Sequence, residues 1–182
     1  MAAGTPDGGG EQDGIHIRPL EPCEWKALPD FRLAALGSAP GFFLGSLDEE
    51  VNWSPEDWQR TIKGPAHQVF GLFDQEILIG ITAAFTWRGD TRGRTAVLAM
   101  SFVLPHYRGR GLSRLFYEAR LAWIRDQPQF RRIVVSHRAS NEASRHAIQK
   151  RGFVHTNIVA HLWPDGQTED EVFYEMNLSD RT

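Results

Sequence analysis

The stretch that decides the fold of this chain is S-F-V-L-P-H-Y-R-G-R-G-L-S-R, residues 101–114. An apolar run ends there at a proline, and a turn rich in glycine and arginine leads into a helix. Gly109 and Gly111 have no Cβ atom, so the backbone N–H groups of the turn can converge at the start of that helix. Such N–H groups carry partial positive charge and bind phosphate. The glycines alone are equally consistent with a strand-to-helix connection whose arginines face water.

Three arginines in the same turn favour the phosphate interpretation. Arg108, Arg110 and Arg114 place fixed positive charge beside the glycines. The guanidinium group is planar, and its N–H groups match the oxygens of a phosphate. The turn is therefore predicted to bind a phosphate group.

A second informative stretch is N-E-A-S-R-H-A-I-Q-K-R-G-F, residues 141–153. With the first stretch it resembles the GNAT superfamily of acetyl-CoA-dependent N-acetyltransferases, and the resemblance extends over residues 15–178. The family signature V-x-P-x-x-R-G-x-G is matched by Val103, Pro105, Arg108, Gly109 and Gly111. The second signature, N-x-x-A/S followed by K-x-G-F, is matched by Asn141, Ser144, Lys150, Gly152 and Phe153. Ser113 departs from the family, which has glycine or alanine at that position.

The order of predicted elements describes an α/β protein. Strands are predicted at residues 15–20, 67–73, 76–87, 94–104, 133–135, 153–162 and 171–178. Helices are predicted at residues 21–36, from Ser54 to the Gly-Pro pair at 64–65, at 112–126 and at 141–151. We expect a GNAT-like sandwich with a mixed, mostly antiparallel central sheet of about seven strands flanked by about four helices. Residues 15–178 are predicted to form a single N-acetyltransferase domain between a disordered tail at 1–14 and a short C-terminal tail at 179–182.

The helix at 112–126 carries an apolar stripe that is expected to face the sheet. Its members are Leu112, Leu115, Phe116, Ala119, Ala122 and Trp123. An acidic cluster at residues 48–50 is expected to be a solvated loop, although it could attract a cationic amine. Four tryptophans could line an acceptor pocket but are expected in the core: Trp53, Trp58, Trp87 and Trp163.

The resemblance implies acetyl-CoA as co-substrate. Its pantetheine arm would lie along the strand at 101–103, as an added strand does, and a backbone N–H near Val103 would polarise the acetyl carbonyl. The predicted cofactor-binding residues are Ser101, Phe102, Val103, Arg108, Gly109, Arg110, Gly111, Leu112, Ser113, Arg114 and Asn141. Asn141 has a structural alternative as a helix N-cap, and the motif context favours the pantetheine contact.

The chain departs from the family at Ile148, one of the positions expected to be catalytic. Many members have a tyrosine there, seven residues after the motif asparagine, that protonates the leaving thiolate, whereas isoleucine cannot donate a proton. Ser144, one helical turn earlier on the same face, is the predicted hydrogen-bond donor. If Ser144 does not act on the leaving thiolate, then another group, a water or the solvent supplies its proton, or the activity is weak.

His137 is the predicted general base. The family often has an acidic residue at the end of the central strand, where this chain has Ser136 and His137. An unperturbed imidazole pKa of about 6.5 suits proton transfer at neutral pH. The alternative is a loop histidine that faces solvent. Further candidates are His161, Glu171 and Tyr174.

Composition excludes several classes of protein and of site. The formal net charge of -3 is inconsistent with an overall basic surface for nucleic acid. No apolar run reaches the roughly 18 residues of a membrane span, and residues 1–14 do not resemble a secretory signal. Cys23 is the single cysteine, which excludes an internal disulfide, and the spacing of the seven histidines indicates no metal site. We therefore expect a cytoplasmic protein without a bound metal.

The main hypothesis is an N-acetyltransferase that acts by direct attack of a primary amine in a ternary complex. Two alternatives to it stay open. The first is a non-catalytic acyl-CoA-binding or sensing domain on the same fold, which the isoleucine at position 148 keeps open. The second is a dinucleotide-binding module, which would need glycine where Arg114 stands. The acceptor, a small-molecule amine or a protein amine, cannot be read from the sequence. Neither nucleic acid nor membrane is an expected partner, and a homodimer stays open.

Overall fold

One eight-stranded sheet organises residues 14–178, the part of the chain that the computed structural model describes. The predicted tails lie outside the described residues, apart from Gly14. The strands are β1 (Ile15–Pro19), β2 (Lys63–Gly64), β3 (His67–Asp74), β4 (Ile77–Thr86), β5 (Thr95–Val103), β6 (Arg132–Arg138), β7 (Val154–Leu162) and β8 (Thr168–Asn177). Their order across the sheet is β1-β3-β4-β5-β6-β8-β7, and β2 pairs with β3. Only β5 and β6 form a parallel pair among these strands.

Helices connect these strands within the described residues. They are α1 (Leu28–Ser38), α2 (Leu47–Glu50), α3 (Pro55–Ile62), α4 (Ser113–Arg125) and α5 (Glu142–Gln149). Short 3₁₀ segments occupy Pro22–Ala27, Pro40–Phe42 and Pro105–Tyr107. The predicted α/β class and the mixed, mostly antiparallel sheet are confirmed. The two elements beyond the prediction, β2 and α2, have two and four residues and are too short to show a periodic pattern.

The predicted start of α3 is confirmed in detail. The Ser54 hydroxyl accepts a hydrogen bond from the Asp57 backbone N–H, and the Asp57 carboxylate accepts one from the Ser54 backbone N–H at 2.9 Å. This reciprocal pair satisfies two donors that a helix start otherwise leaves open. Pro55 occupies the first turn, where a missing N–H costs no hydrogen bond.

The sheet has a core on each face. Helices α1 and α3 cover one face, where Leu28, Trp58, Ile81 and Phe102 pack together. Helices α4 and α5 cover the other face, over two clusters that include Leu98, Phe116, Ile133 and Ile148. Trp58 and Trp163 are buried as expected, whereas Trp53 and Trp87 are half-buried. No helix within residues 14–178 is long and apolar enough to cross a membrane.

The predicted apolar stripe of α4 is wrong in part. Ala122 is exposed and Ala119 is half-buried, whereas Tyr117, Arg120 and Ile124 are buried. The buried face is therefore rotated relative to the stripe. An apolar pattern could not reveal this rotation, because a charged residue lies at the centre of the buried face.

The acidic cluster at residues 48–50 also departs from prediction. Asp48 and Glu49 are exposed, but Glu50 is buried and accepts two hydrogen bonds from Arg32, at 2.8 Å from Nε and 2.7 Å from Nη2. The two side chains are only 5% and 6% exposed. This bidentate pair fixes α2 against α1, so Glu50 is a structural residue and not part of a solvated loop.

Glu50→Ala should lower the free energy of unfolding by roughly 3–5 kcal/mol, because it leaves the Arg32 guanidinium buried without its counter-charge. Urea denaturation followed by circular dichroism measures the change. Glu49→Ala removes the exposed neighbour and serves as the matched control, with an expected change within about 0.5 kcal/mol. Equal losses in the two variants would contradict the assignment.

Candidate active site

A gap opens in the middle of the sheet, between β5 and β6. The two strands pair over three residues, Thr95–Val97 with Arg132–Val134, and their pairing ends there. Within the described residues, positions 98–103 of β5 have a strand partner only on the β4 side. The backbone N–H and C=O groups along the other edge are therefore available to a ligand that binds as an added strand does.

A bulge in β5 lies at this gap. The register of β5 against β4 shifts between Ile81 and Ala83, and Met100 has a φ of 58°, a backbone conformation rare for side chains other than glycine. The bulge changes which residues face which side. Leu98 packs on the α4 side and Phe102 on the α1 side, although in a regular strand residues four positions apart face the same side. A bulge beside a site re-aims side chains in this way.

The glycine turn connects the gap to α4. Gly109 and Gly111 have φ angles of 78° and 72°, and a Cβ atom added at either position would meet nothing within 4 Å beyond its immediate chain neighbours. Glycine is therefore required here for its backbone conformation and not for lack of space. Leu112, at the start of α4, makes no side-chain cap, so the first N–H groups of the helix are not satisfied by a capping side chain.

The predicted arginines of the turn differ in their contacts. Arg108 donates from Nε to the Val103 carbonyl at 2.9 Å and lies over the Phe102 ring, which ties the turn to the end of β5. Arg114 is 60% exposed and pairs with Glu118 at 3.0 Å. Arg110 donates to the His106 carbonyl at 3.4 Å.

A cavity of about 610 Å³ lies between the start of α4 and α5. Its lining includes Arg110, Gly111, Ser113, Arg114, Tyr117, Ala147, Lys150 and Arg151. Four of these side chains are cationic, so the cavity is positively charged and suits a polyphosphate. Gly111 of the first signature and Lys150 of the second both line this cavity.

Asn141 is the N-cap of α5. Its Oδ1 accepts a hydrogen bond from the Ser144 backbone N–H at 3.0 Å. The N-cap role that the sequence left open for Asn141 is therefore confirmed. It uses only the oxygen of the side-chain amide. The contact with a pantetheine arm stays a prediction, for which the amide nitrogen is the available donor.

The two positions considered for the proton donor on α5 have different surroundings. Ile148 is fully buried in the cluster with Val135 and Tyr174. Ser144 is half-buried one turn earlier. No proton donor therefore occupies position 148, and the catalytic role of Ser144 stays a prediction.

His137 lies on β6 and is 5% exposed, so the alternative of a solvent-facing loop histidine is wrong. Its Nδ1 is 2.7 Å from the Arg138 carbonyl oxygen, which can only accept. Nδ1 therefore carries the proton, and the lone pair of the neutral ring is on Nε2, which lies 3.5 Å from the Tyr174 hydroxyl. This tautomer can accept a proton at Nε2, and the role of general base stays a prediction.

A polar cluster lies on the opposite face of β6 and β8. Glu171 is 6% exposed, and its carboxylate accepts a hydrogen bond from the Ser136 hydroxyl at 2.6 Å and lies 3.7 Å from Nδ1 of His161. The sequence indicated these residues separately, and only the structure brings them together. The alternation of side chains along β6 and β8 was the available signal, because Ser136 pairs with Phe173, two residues from Glu171.

Arg138 ties three segments together beside that cluster. It donates to the Gly41 carbonyl at 3.0 Å, to Asp165 at 2.5 Å and to Glu169. These hydrogen bonds hold the pKa of Asp165 and that of Glu169 below their usual values. The end of β6, the turn between β7 and β8, and the loop after α1 are thereby fixed around one guanidinium group.

Sequence reasoning missed Arg120, which lies on α4 behind the gap. Its side chain is buried, with Nη1 donating to the Ser101 hydroxyl at 2.9 Å and Nε donating to the Phe116 carbonyl at 3.1 Å. The guanidinium also lies over the Tyr117 ring at 4.7 Å. Burial lowers the pKa of Arg120 to about 10, so the group is charged at neutral pH.

Known structures share this fold. An acetyltransferase of the GNAT family from Streptococcus pneumoniae aligns with a TM-score of 0.75 and 20% identity over 90% of this chain and 99% of that chain. Ribosomal-protein-S5-alanine acetyltransferase from Vibrio fischeri aligns with a TM-score of 0.75 and 14% identity, over 92% and 95%. Spermidine N-acetyltransferase from Vibrio cholerae, solved with CoA and spermine, aligns with a TM-score of 0.71 and 16% identity, over 90% and 95%. Identities this low show the fold alone.

The sequence itself gives the family. No curated protein matches the chain significantly. The model of the acetyltransferase (GNAT) family matches residues 31–153, which is more than half of the 182 residues and includes both signatures. The match and the shared fold agree with the resemblance that the two signatures indicated. This chain belongs to the GNAT family of acetyltransferases.

Proposed function

We propose that the protein is an N-acetyltransferase that transfers the acetyl group of acetyl-CoA to a primary amine, by direct attack in a ternary complex. The observation that carries this proposal is the gap between β5 and β6, which leads directly to the glycine turn at the start of α4. An open strand edge suits the pantetheine arm, and a turn of exposed N–H groups suits the pyrophosphate. Residues 15–178 form the proposed N-acetyltransferase domain.

The proposed binding mode uses both sequence signatures. The pantetheine arm lies along Ser101, Phe102 and Val103, and a backbone N–H of this segment polarises the acetyl carbonyl. The pyrophosphate lies on the turn at residues 109–114, beside the cations of the cavity. Asn141 donates from its amide nitrogen to the arm from the side of α5. In this arrangement the thioester lies beside the bulge at Met100.

The acceptor amine must lose a proton before it attacks. A primary ammonium of the lysine type titrates near 10.4, so at neutral pH most of it is protonated and cannot attack. His137 is the proposed base, because its neutral tautomer has its lone pair on Nε2, 3.5 Å from the Tyr174 hydroxyl, and it lies on β6, which borders the gap. On α5, Ser144 is the proposed hydrogen-bond donor to the leaving group.

The proposed acceptor is a small-molecule or protein amine. Among structures with the same fold, one acts on spermidine and another on a ribosomal protein, so the fold accommodates both kinds of acceptor. The cluster of Glu171, Ser136 and His161 supports an amine, because a buried carboxylate attracts a cationic substrate. A cytoplasmic location and the oligomeric state stay predictions.

The test of the activity is acetyl-CoA binding by calorimetry, followed by CoA release in the presence of polyamines, amino acids and peptides with free N-termini. We expect binding, and turnover with at least one class of amine. Binding of acetyl-CoA without turnover on any amine would favour an acyl-CoA sensor. Thermal stabilisation by NAD but not by acetyl-CoA would favour a dinucleotide-binding module.

Gly111→Glu should abolish measurable acetyl-CoA affinity, because it places a side chain and a negative charge where the pyrophosphate is proposed to bind. Gly166→Glu is the matched control, since Gly166 has a φ of 78° and equally open surroundings in the turn between β7 and β8. Both variants carry the strain of a non-glycine residue at positive φ, roughly 1–2 kcal/mol. Calorimetry should show loss of binding in Gly111→Glu only, and retained affinity there would refute the assignment of the turn.

His137→Gln should flatten the acid limb of the pH–rate profile. A base acts only when it is deprotonated, so the wild-type rate should fall at low pH as the base takes up a proton, whereas glutamine cannot act as a base. His155→Gln is the control, because His155 contacts the same Tyr174 ring from β7 but is exposed. An acid limb that is unchanged in His137→Gln would exclude His137 as the base.

A further inference from the structure

We propose that the Ser101 hydroxyl, polarised by the buried Arg120 guanidinium, donates a hydrogen bond to the CoA sulfur as it leaves as a thiolate. This inference rests on the proposed function and deepens it. In this inference, residues of β5 and α4 stabilise the leaving group. Ile148 on α5 cannot do so, because its side chain has no proton to donate. Ser101 is then a catalytic residue through its side chain, and Arg120 is a positioning residue that acts through it.

The hydrogen bonds around Ser101 leave its proton available. Its Oγ lies 2.9 Å from Nη1 of Arg120 and 2.9 Å from Oγ1 of Thr82. A guanidinium can only donate, so Ser101 accepts from Arg120. The Thr82 hydroxyl has two acceptors within reach, the Ser101 Oγ at 2.9 Å and the Ala99 carbonyl oxygen at 3.4 Å. When it donates to the nearer one, the Ser101 hydroxyl directs its own proton away from Thr82 and Arg120. A negative sulfur beside Ser101 selects this arrangement, because hydroxyl protons rotate to suit their acceptors.

The bulge in β5 gives Ser101 its position. It breaks the alternation after Leu98, so that the Ser101 side chain lies on the α4 side with Thr82 and Arg120. This is also the side of the glycine turn and of the cation-lined cavity. Ser101 is exposed, and it lies on the part of β5 that has no partner towards β6 within the described residues. A thioester held along β5 would therefore contact its hydroxyl.

The charge near Ser101 is a cation without a counter-charge. Arg120 is 2% exposed, and among the described residues no carboxylate contacts its guanidinium. A second cation lies nearby, since Arg151, just after α5, lies over the same Tyr117 ring as Arg120. Burial raises the pKa of Tyr117, so this phenol stays neutral. A buried cation is costly unless an anion compensates it, and a thiolate supplies that anion.

The chemical step balances without a proton from Ser101. The amine nitrogen forms its bond to the acetyl carbon, the carbon–sulfur bond breaks, and its electron pair goes to sulfur. The proton that the neutral amine nitrogen still has to lose after the attack goes to the general base, which has first released to solvent the proton it took from the ammonium form. Ser101 keeps its proton throughout and donates a hydrogen bond to the thiolate, which takes a proton from solvent after release. The hydrogen bond and the nearby charge lower the free energy of the thiolate, which is the leaving group of the step.

The test measures the pKa of the thiol of bound CoA, from the ultraviolet absorbance of its thiolate during a pH titration. We expect a value below that of free CoA in the wild type. Ser101→Ala should raise the pKa of the bound thiol by about one, a tenfold change in the thiol–thiolate equilibrium, because it removes a charge-assisted hydrogen bond. Arg120→Met should raise it similarly, and Arg120→Lys, which keeps the charge, should restore part of the effect.

Ser38→Ala is the control, because this exposed serine at the end of α1 bonds only the Ala35 carbonyl. Its bound thiol should titrate as in the wild type. With an acceptor from the amine panel, Ser101→Ala should lower kcat about tenfold and leave KM for acetyl-CoA within about twofold, since the interaction forms only as charge develops on sulfur.

The outcomes separate this inference from the proposed function. Wild-type protein that does not bind CoA would overturn both. Normal CoA binding with the same thiol pKa in the wild type and in Ser101→Ala would refute the inference alone. If Arg120→Met does not fold, Ser101→Ala still decides, because Ser101 is exposed and its loss leaves the core intact.

Discussion

The structure depends on the short parallel pairing of β5 and β6. Three residue pairs hold the two strands together, and beyond them the strands separate. The bulge at Met100 turns β5 away from its regular path at this point, and α4 begins where β5 ends. The open strand edge and the start of α4 are thus joined by one short segment of chain, residues 104–112. A CoA thioester requires these two features together, because one of its ends hydrogen-bonds as a peptide does and the other carries the phosphates.

The surroundings of the gap are held by buried charge as well as by apolar packing. Arg32 and Glu50 fix α2 against α1, and Arg138 fixes the loop after α1 to the turn between β7 and β8. Loops that border a pocket have few apolar contacts to hold them, and directional ion pairs fix their position instead. The contacts of Arg138 with Gly41 and Asp165 span 97 and 27 positions of sequence, so they form only when β6 and the turn between β7 and β8 are in place. The Arg32–Glu50 pair instead joins two consecutive helices.

Periodicity and turn residues were sufficient for most of the fold, since they predicted the long strands, α1, α3, α4 and α5. They failed where a charged residue is buried. Arg120 lies at the centre of the buried face of α4, and Glu50 lies in a run that resembles a solvated acidic loop. Hydrophobic patterns assign charge to the surface, and only the three-dimensional partner of each charge shows otherwise. The cluster around Glu171 was not predicted for a related reason. Its members come from three strands, and no local spacing in the sequence connects them.

The exchange of a tyrosine for isoleucine on α5 is best understood together with the cation on α4. A phenol stabilises a leaving thiolate by giving up a proton, so its contribution depends on its pKa and on the pH. A buried guanidinium that acts through a serine hydroxyl contributes fixed charge and orientation, and with a pKa of about 10 it does not titrate near neutrality. In such a site the base alone responds to pH in the neutral range, and the leaving group departs as an anion. Isoleucine at position 148 is then compatible with catalysis, because the leaving group needs no proton from α5. Ile148 instead packs in the apolar cluster that includes Tyr117, over whose ring Arg120 lies.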